Sequence, residues 1–325
     1  MSHVKMLTIG DVHIADNPPG KRTETFCSDV LTKLRECSEI AERESVTHIL
    51  YLGDIFHLKH AHRISHRLVQ DMSKIILDTG LPTYILVGNH DITDGSLDSL
   101  AKQPIGTLGL LSNVTLLTWD PVQLDEDITL HPIPGVHPKN APIEKFAVGG
   151  DSKQDILVVH QGVVPDVSKE NENYRDQCYD AADIDYASKC GLVLYGHHHR
   201  YDGIYTVGDT TFSNLGSITR LEASDHDLHK MPRVLTVDFD DGPERLPTLT
   251  EHRLENVRHY EEAYSLADHY EAKEHQLDID ETISKLKETR LGKFSLESIE
   301  KHIQHRDDVD DEVKTCSVNL IEAVK

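Results

Sequence analysis

The chain has 325 residues, 38% of them hydrophobic and 27% charged, enough to bury one large core or a core plus a smaller attached domain. No apolar run approaches the roughly 20 residues of a membrane span, and the start, Met1-Ser2-His3-Val4-Lys5, lacks a secretory pattern, so a cytoplasmic protein away from membranes is expected. Acids outnumber bases 56 to 33, a net charge of −23, the reverse of the basic footprint carried by a protein that grips nucleic acid through its own surface.

In chain order, Val4 to Ile9 predicts a first strand, with Gly10-Asp11-Val12-His13 turning at its end. Thr25 to Glu44 carries Val30, Leu31, Leu34, Ile40 and Ala41 at helical spacing. His48 to Leu52 predicts a strand delivering Gly53-Asp54, and Ser65 to Leu77 predicts a helix closed by Thr79-Gly80 and Pro82. Thr83 to Val87 predicts a third strand, delivering Gly88-Asn89-His90-Asp91. This alternation with short connections predicts a layered α/β domain.

Strands dominate the second half: Val114 to Trp119, Ile128 to Pro132, Ile156 to His160 and Leu192 to Gly196. Gly203 to Val207 and Thr210 to Asn214 flank Gly208-Asp209 as a hairpin. Val234 to Phe239 and Leu249 to Leu254 flank Asp240-Asp241-Gly242-Pro243 as another. Two sheets packed face to face and covered by helices fit this order. From about residue 255 the chain turns charged and helical. Leu296, Ile299 and Ile303 form one stripe there, and Val309, Val313, Cys316, Leu320 and Val324 form a second. Such stripes either pack on the chain's own core or dock on a partner. Cys27, Cys37, Cys178, Cys190 and Cys316 are widely spaced with no CxxC pair, so reduced thiols are expected.

The chemistry-bearing residues fall in five short stretches: Asp11-Val12-His13, Gly53-Asp54, Gly88-Asn89-His90-Asp91, His160, and Gly196-His197-His198-His199. Taken singly, each is weak; Asp-x-His is common, and a chain with 22 His produces clusters by chance. Taken together, they sit at predicted strand ends, and the carboxyl edge of a sheet is where open α/β folds bind ligands. Two divalent metals that share one carboxylate need this kit: several imidazole nitrogens, a bridging Asp and a neutral amide oxygen. A phosphoester hydrolase is the chemistry it suits.

The five stretches resemble the calcineurin-like metallophosphoesterase superfamily, whose pattern is D-x-H, G-D, G-N-H-D/E, a lone His and G-H-x-H, from residue 5 to about 220. Within it, Gly53-Asp54-Ile55-Phe56-His57 resembles the Mre11/SbcD nuclease branch, and the hairpin at 234–254 and the tail resemble that branch's capping domain and partner-binding helices. The resemblance implies a four-layer α/β/β/α metallophosphoesterase sandwich with a small C-terminal appendage. Its expected parts are a catalytic domain at 1–225, a β-hairpin capping element at 226–255 and a helical tail at 256–325.

It also implies roles. Asp11, His13, Asp54 and His199 would hold one metal, and Asp54, Asn89, His160 and His197 the other, so Asp54 bridges. His90 would contact a phosphate oxygen or protonate the leaving alkoxide, Asp91 would orient His90, and His57 would add a contact to phosphate or sugar. The plainer reading of His57 is a loop histidine in a run with His60, His62 and His66. His198 is expected to point away from its neighbours. Two divalent ions, manganese by family, are the implied cofactors. DNA is the implied substrate, bound weakly by the chain alone, with a Rad50/SbcC-like coiled-coil ATPase as partner and a homodimer left open. The rivals are a stand-alone phosphatase or cyclic-nucleotide phosphodiesterase, and a non-catalytic scaffold. The acidic charge favours the first rival; the intact ligand set argues against the second.

Overall fold

The computed structural model describes residues 3–58, 63–136, 141–150, 152, 154–170, 175–239, 246–265, 315 and 317. Strand β1 (Val4–Ile9) shows how the layers arise. Its side chains alternate in direction, so Val4 and Met6 enter one core while Leu7 and Ile9 enter another. β2 (His48–Tyr51) does the same: Leu50 joins the first set, Ile49 and Tyr51 the second. β3 (Thr83–Leu86) and β4 (Val114–Leu117) continue this sheet in parallel.

The second sheet is built on β6 (Ile128–Ile133), β7 (Gln154–Val159) and β10 (Leu192–Tyr195), all parallel. β12 (Thr210–Asn214) runs parallel to β10, and the short β5 (Val122–Gln123) and the hairpin strand β11 (Gly203–Val207) close its edges. Ile156, Val158, Leu192 and Leu194 face the first sheet and meet Val4, Met6, Leu50 and Leu86 in one apolar cluster. Leu157, Val159, Val193 and Tyr195 point the other way, onto the helix Ala181–Ala187 and the turn Ile143–Phe146. A two-stranded ribbon, β8 (Val163–Val164) with β9 (Tyr179–Asp180), lies between these elements in sequence.

The outer face of the first sheet is covered by α1 (Phe26–Arg43), α2 (His66–Thr79) and α3 (Pro104–Leu108). Phe26, Val30, Leu34, Cys37 and Ile40 recur along one side of α1 and are buried there. Ser65 caps α2 by accepting the Leu68 N–H at 3.1 Å. The result is the α/β/β/α sandwich, four layers around three apolar interfaces. No described helix is long and apolar enough to cross a membrane, and Cys27, Cys37 and Cys190 are free thiols.

One element sits elsewhere than expected. β13 (Arg233–Phe239) pairs antiparallel with β1, and β14 (Pro247–Arg253) pairs with β13, so the second hairpin is the outer edge of the first sheet rather than a separate cap. The reason is its burial pattern: Val234 is buried with the helix-side core, and Leu235, Val237 and Phe239 with the inter-sheet core. Contacts divide the chain into Met1–Leu266 and Ala267–Lys325. The two tail stripes lie outside the described residues.

This placement of the hairpin has a measurable consequence. Phe239→Ala, at a fully buried position, is expected to cost about 3–5 kcal/mol in denaturant unfolding. Leu246→Ala, at a site 60% exposed, is expected to change stability by less than about 0.5 kcal/mol. Equal, small effects of both would mean that β13 is peripheral.

Candidate metal centre

The parallel strands of both sheets end at one place. β1 delivers Asp11 and His13, β2 delivers Asp54, and β3 delivers Asn89; β7 and β10, from the other sheet, deliver His160 and His197 with His199. Asp11, His13, Asp54 and His160 are all at most 1% exposed. Their donor atoms form two groups within 4.8 Å that share Asp54, Asp11/His13/Asp54/His199 and Asp54/His160/His197, and His13 also joins His57 and His90 in a third group without a carboxylate. Asp54 belongs to both of the first two. Its Oδ2 lies 3.5 Å from His13 Nε2 and 3.2 Å from His160 Nε2, so one carboxylate oxygen faces both groups. Asn89 Oδ1 joins the second group, 2.9 Å from His197 Nδ1 and 3.2 Å from His160 Nε2.

The backbone is bent to achieve this. His13, Asp54 and His197 have φ of 48°, 49° and 75°, and only five described non-glycine residues have positive φ. Such left-handed backbone costs about 1–3 kcal/mol per residue and persists where the surroundings hold it. Hydrogen bonds supply that hold. His13 N–H donates to Asp54 O at 2.8 Å, His197 N–H to Asp11 Oδ1 at 3.0 Å, and His90 N–H to Asp54 Oδ1 at 2.8 Å. Two glycines make room: a Cβ on Gly88 would lie 2.1 Å from Asp54 Oδ1, and one on Gly135 would lie 2.5 Å from the Asn89 nitrogen.

The donor set fits cations. His160 Nδ1–H donates to Leu52 O at 2.6 Å, which leaves Nε2 facing only acceptors, Asp54 Oδ2 and Asn89 Oδ1. His13 Nε2 faces His199 Nε2 at 2.8 Å, nitrogen against nitrogen. A bare centre needs a proton between such atoms, and a divalent ion satisfies them all at once. Burial pulls His13 well below the usual imidazole range and His197 down to about 4, and it lowers His199 too. Neutral imidazole is the metal-binding form. His160 is the exception: burial opposes its charge, but Asp54 and Asp11 raise it to about 10. Burial likewise opposes the Asp54 charge, yet His160 and His13 hold its carboxyl well below the usual range. Mixed imidazole and carboxylate donors suit first-row transition ions better than magnesium or calcium.

A cleft of about 330 Å³ opens at this centre, lined by His13, His57, His90 and His199 together with Leu221, Glu222, Ser224 and Asp227. His90 belongs to neither ligand group that shares Asp54. Its Nδ1–H donates to His57 O at 2.6 Å, which leaves Nε2 as its free nitrogen at the cleft. His57 stacks beside it with ring centroids 5.7 Å apart. Burial, reinforced by His90, takes His57 down to about 4. Asp91 does not orient His90, contrary to the expectation from sequence. Its carboxylate instead accepts from Ile55 N–H at 3.0 Å, Phe56 N–H at 3.4 Å and Gly88 N–H at 2.9 Å, tying the loop after β2 to the loop after β3. Burial and Asp54 raise Asp91 to about 7. His198 is in neither group; its Nε2 accepts from Arg200 Nε at 2.7 Å.

A family model described as calcineurin-like phosphoesterase matches residues 4–201, more than half of the chain. The chain belongs to this family. Solved structures with the same fold include TT1561 of Thermus thermophilus, 11% identical with a TM-score of 0.51 over 78% of this chain and 100% of that one. A dimetal phosphatase from Danio rerio is 14% identical with a TM-score of 0.50 over 78% of this chain and 97% of that one. No curated protein sequence matches the chain significantly. Membership makes it a metal-dependent phosphoesterase.

Some of the site escaped the sequence. Leu52 O and Gly135 act through backbone and the lack of a side chain, and only Gly135, just past the end of β6, carried a signal. Leu221, Glu222, Ser224 and Asp227 reach the cleft from beyond the last motif, where spacing says nothing. If Asp54 serves both positions, elemental analysis of purified Asp54→Ala is expected to find neither metal at full occupancy, while His13→Ala keeps about one per chain. Two metals per chain in Asp54→Ala would refute the shared position.

Proposed function

We propose that the chain hydrolyses phosphodiesters with two divalent ions, manganese in the cell, held by Asp11, His13, Asp54 and His199 and by Asp54, Asn89, His160 and His197. The observation that carries this reading is Asp54 Oδ2, one oxygen facing both donor groups beneath a cleft. Two ions held by these residues would polarise a phosphoryl oxygen, lower the proton affinity of water and offset charge that develops in the transition state.

The remaining steps belong to the chain's own side chains. His90, with Nδ1–H fixed on His57 O, presents Nε2 to the cleft; protonated there, it hydrogen-bonds a phosphate oxygen or gives its proton to the departing alkoxide. His57 adds a neutral imidazole to the same wall, suited to a phosphate or sugar oxygen. Asp91 keeps the loops carrying Asp54 and Asn89 at a fixed separation.

The substrate we propose is DNA, cut as an Mre11/SbcD-like subunit working beside a Rad50/SbcC-like coiled-coil ATPase. Two features support this: the Gly53-to-His57 stretch, whose histidine lines the cleft, and the helical pattern beyond residue 255. The net charge of −23 requires that most of the grip on a polyanion come from the partner. A second reading, a stand-alone phosphatase or cyclic-nucleotide phosphodiesterase, is favoured by Glu222 and Asp227, two acids that line the cleft together with the histidines.

Two measurements test these readings. His90→Asn is expected to keep both metals while turnover of a chromogenic phosphodiester falls about 10²–10⁴-fold; near wild-type turnover with unchanged metal content would remove His90 from the chemistry. The second assay offers end-labelled duplex and single-stranded DNA, a cyclic nucleotide, a chromogenic diester and a chromogenic monoester, each with manganese, magnesium or chelator. DNA cleavage in manganese, stimulated by the ATPase, is the expected result. Cyclic-nucleotide or monoester turnover without DNA cleavage would transfer the assignment to the second reading.

A further inference from the structure

The segment 216–221 threads between two of the metal loops. Ile218 N–H donates to Asp11 O at 3.1 Å and Thr219 Oγ1 to Val12 O at 2.6 Å, while Ser217 N–H donates to His199 O at 3.3 Å. Three buried cations hold it from behind. Lys33 of α1 reaches Ile218 O at 2.9 Å, Arg22 reaches Arg220 O at 2.6 Å, and Lys230 reaches Ser217 Oγ at 2.6 Å and Thr219 O at 3.4 Å. Lys230 differs from the other two in one contact. Its ammonium also donates to His199 O at 2.8 Å, the carbonyl of a residue in the Asp11/His13/Asp54/His199 group.

We propose that Lys230 is a positioning residue for one of the two metal positions: it clamps the His199 backbone to the 217–219 segment and so fixes where the His199 imidazole stands. The proposal rests on the two-metal reading above. Lys230 is 7% exposed and ends the short helix Asp225–His229, so its side chain enters from outside every metal loop. Three acceptors converge on one ammonium, which matches its three donors. Without it, each carbonyl loses a charge-assisted bond in a buried place: His199 O keeps only the longer bond from Ser217 N–H at 3.3 Å, and Thr219 O keeps Ser217 Oγ–H at 2.6 Å, so the His199 backbone is held less tightly. Metal–ligand distances in a well-formed site fall within about 0.2 Å of their usual values, so a ligand's position matters to its affinity.

The ammonium's charge acts in the opposite sense, since a cation behind a metal site repels the metal. Asp227 lies 4.0 Å from Lys230 and cancels part of that repulsion, so the loss of position outweighs the loss of charge. The other position, Asp54/Asn89/His160/His197, has no bond to Lys230. The effect is therefore asymmetric. A merely structural lysine would lower the stability of the fold without separating the two positions, as Lys33 is placed to do.

The test is a manganese titration of the full chain, followed by electron paramagnetic resonance for free and exchange-coupled Mn(II), with thermal melting alongside. Wild type is expected to bind two ions. Lys230→Met is expected to bind one as wild type does and the other about 10–100-fold more weakly, losing the coupled signal at sub-saturating metal. Lys230→Arg, which keeps charge and donors, is expected to restore most of the second affinity. Lys33→Met is expected to melt earlier yet bind both ions as wild type does. Parallel loss of both ions in Lys230→Met, unchanged or tighter binding of both, or the same split in Lys33→Met would overturn the proposal. Should Lys230→Met not fold, Lys230→Gln takes its place with the same split expected and the same outcomes deciding. A wild-type chain that binds fewer than two ions would instead overturn the two-metal reading, and the positioning role with it.

Discussion

The centre depends on one buried carboxylate oxygen that two histidines from different sheets approach together. Asp54 Oδ2 lies between His13 Nε2, delivered by the first sheet, and His160 Nε2, delivered by the second. Neither sheet alone can build that arrangement. The apolar cluster between them, from Val4 and Leu50 to Ile156 and Leu194, therefore sets the site's dimensions as well as the domain's stability. A slip of one residue in β1 or β7 would turn its ligand to the wrong face and its core residues into the wrong layer. Fold and chemistry are thus specified by the same side-chain alternation.

The same oxygen explains why the loops are strained. A buried carboxylate beside a second one, Asp11, and several imidazoles is unfavourable unless cations or protons join them. The chain accepts left-handed backbone at Asp54, His13 and His197 because the three loops brace one another. Asp91 adds to that bracing. It uses its whole carboxylate on backbone N–H groups of two loops, and burial near Asp54 raises it to about 7. Metal binding to such a centre is linked to folding, since an unfolded chain offers no comparable site.

This arrangement also decides how much of the site was legible in the sequence. The ligands were legible because each sits where a short apolar run ends, and a run's end is a strand's end. Asp54 as the shared residue required the family resemblance, and the structure places its oxygen between both groups. The partner of Asp91 was not legible: neighbours in sequence, His90 and Asp91 point their side chains to different loops. The hairpin at 233–253 was misplaced because alternation shows that a strand has buried faces but not which sheet it joins; β13 pairs with β1, more than 200 residues earlier. Lys230 was invisible for the same reason. A single lysine carries no pattern, and its acceptors are carbonyls.

Charge is distributed in a way that composition alone hides. The chain carries an excess of acid, yet Arg22, Lys33, Arg220 and Lys230 are all buried behind the metal loops. Burial pulls Lys33 down to about 7 and Lys230 to about 8, a sign of how costly those positions are. Arg22, Lys33 and Lys230 direct their charge inward at carbonyls of the segment 216–221 and at His199, and Arg220 directs its own at Leu228 O and Arg258 O. Glu222, next after that segment, and Asp227 of the helix Asp225–His229 place two acids in the lining of the cleft. Divalent ions are drawn to such a surface and long polyanions are repelled by it. Turnover on a nucleic acid therefore demands a second basic surface that delivers one phosphate at a time to the histidine wall, whereas a small diester could reach that wall unaided.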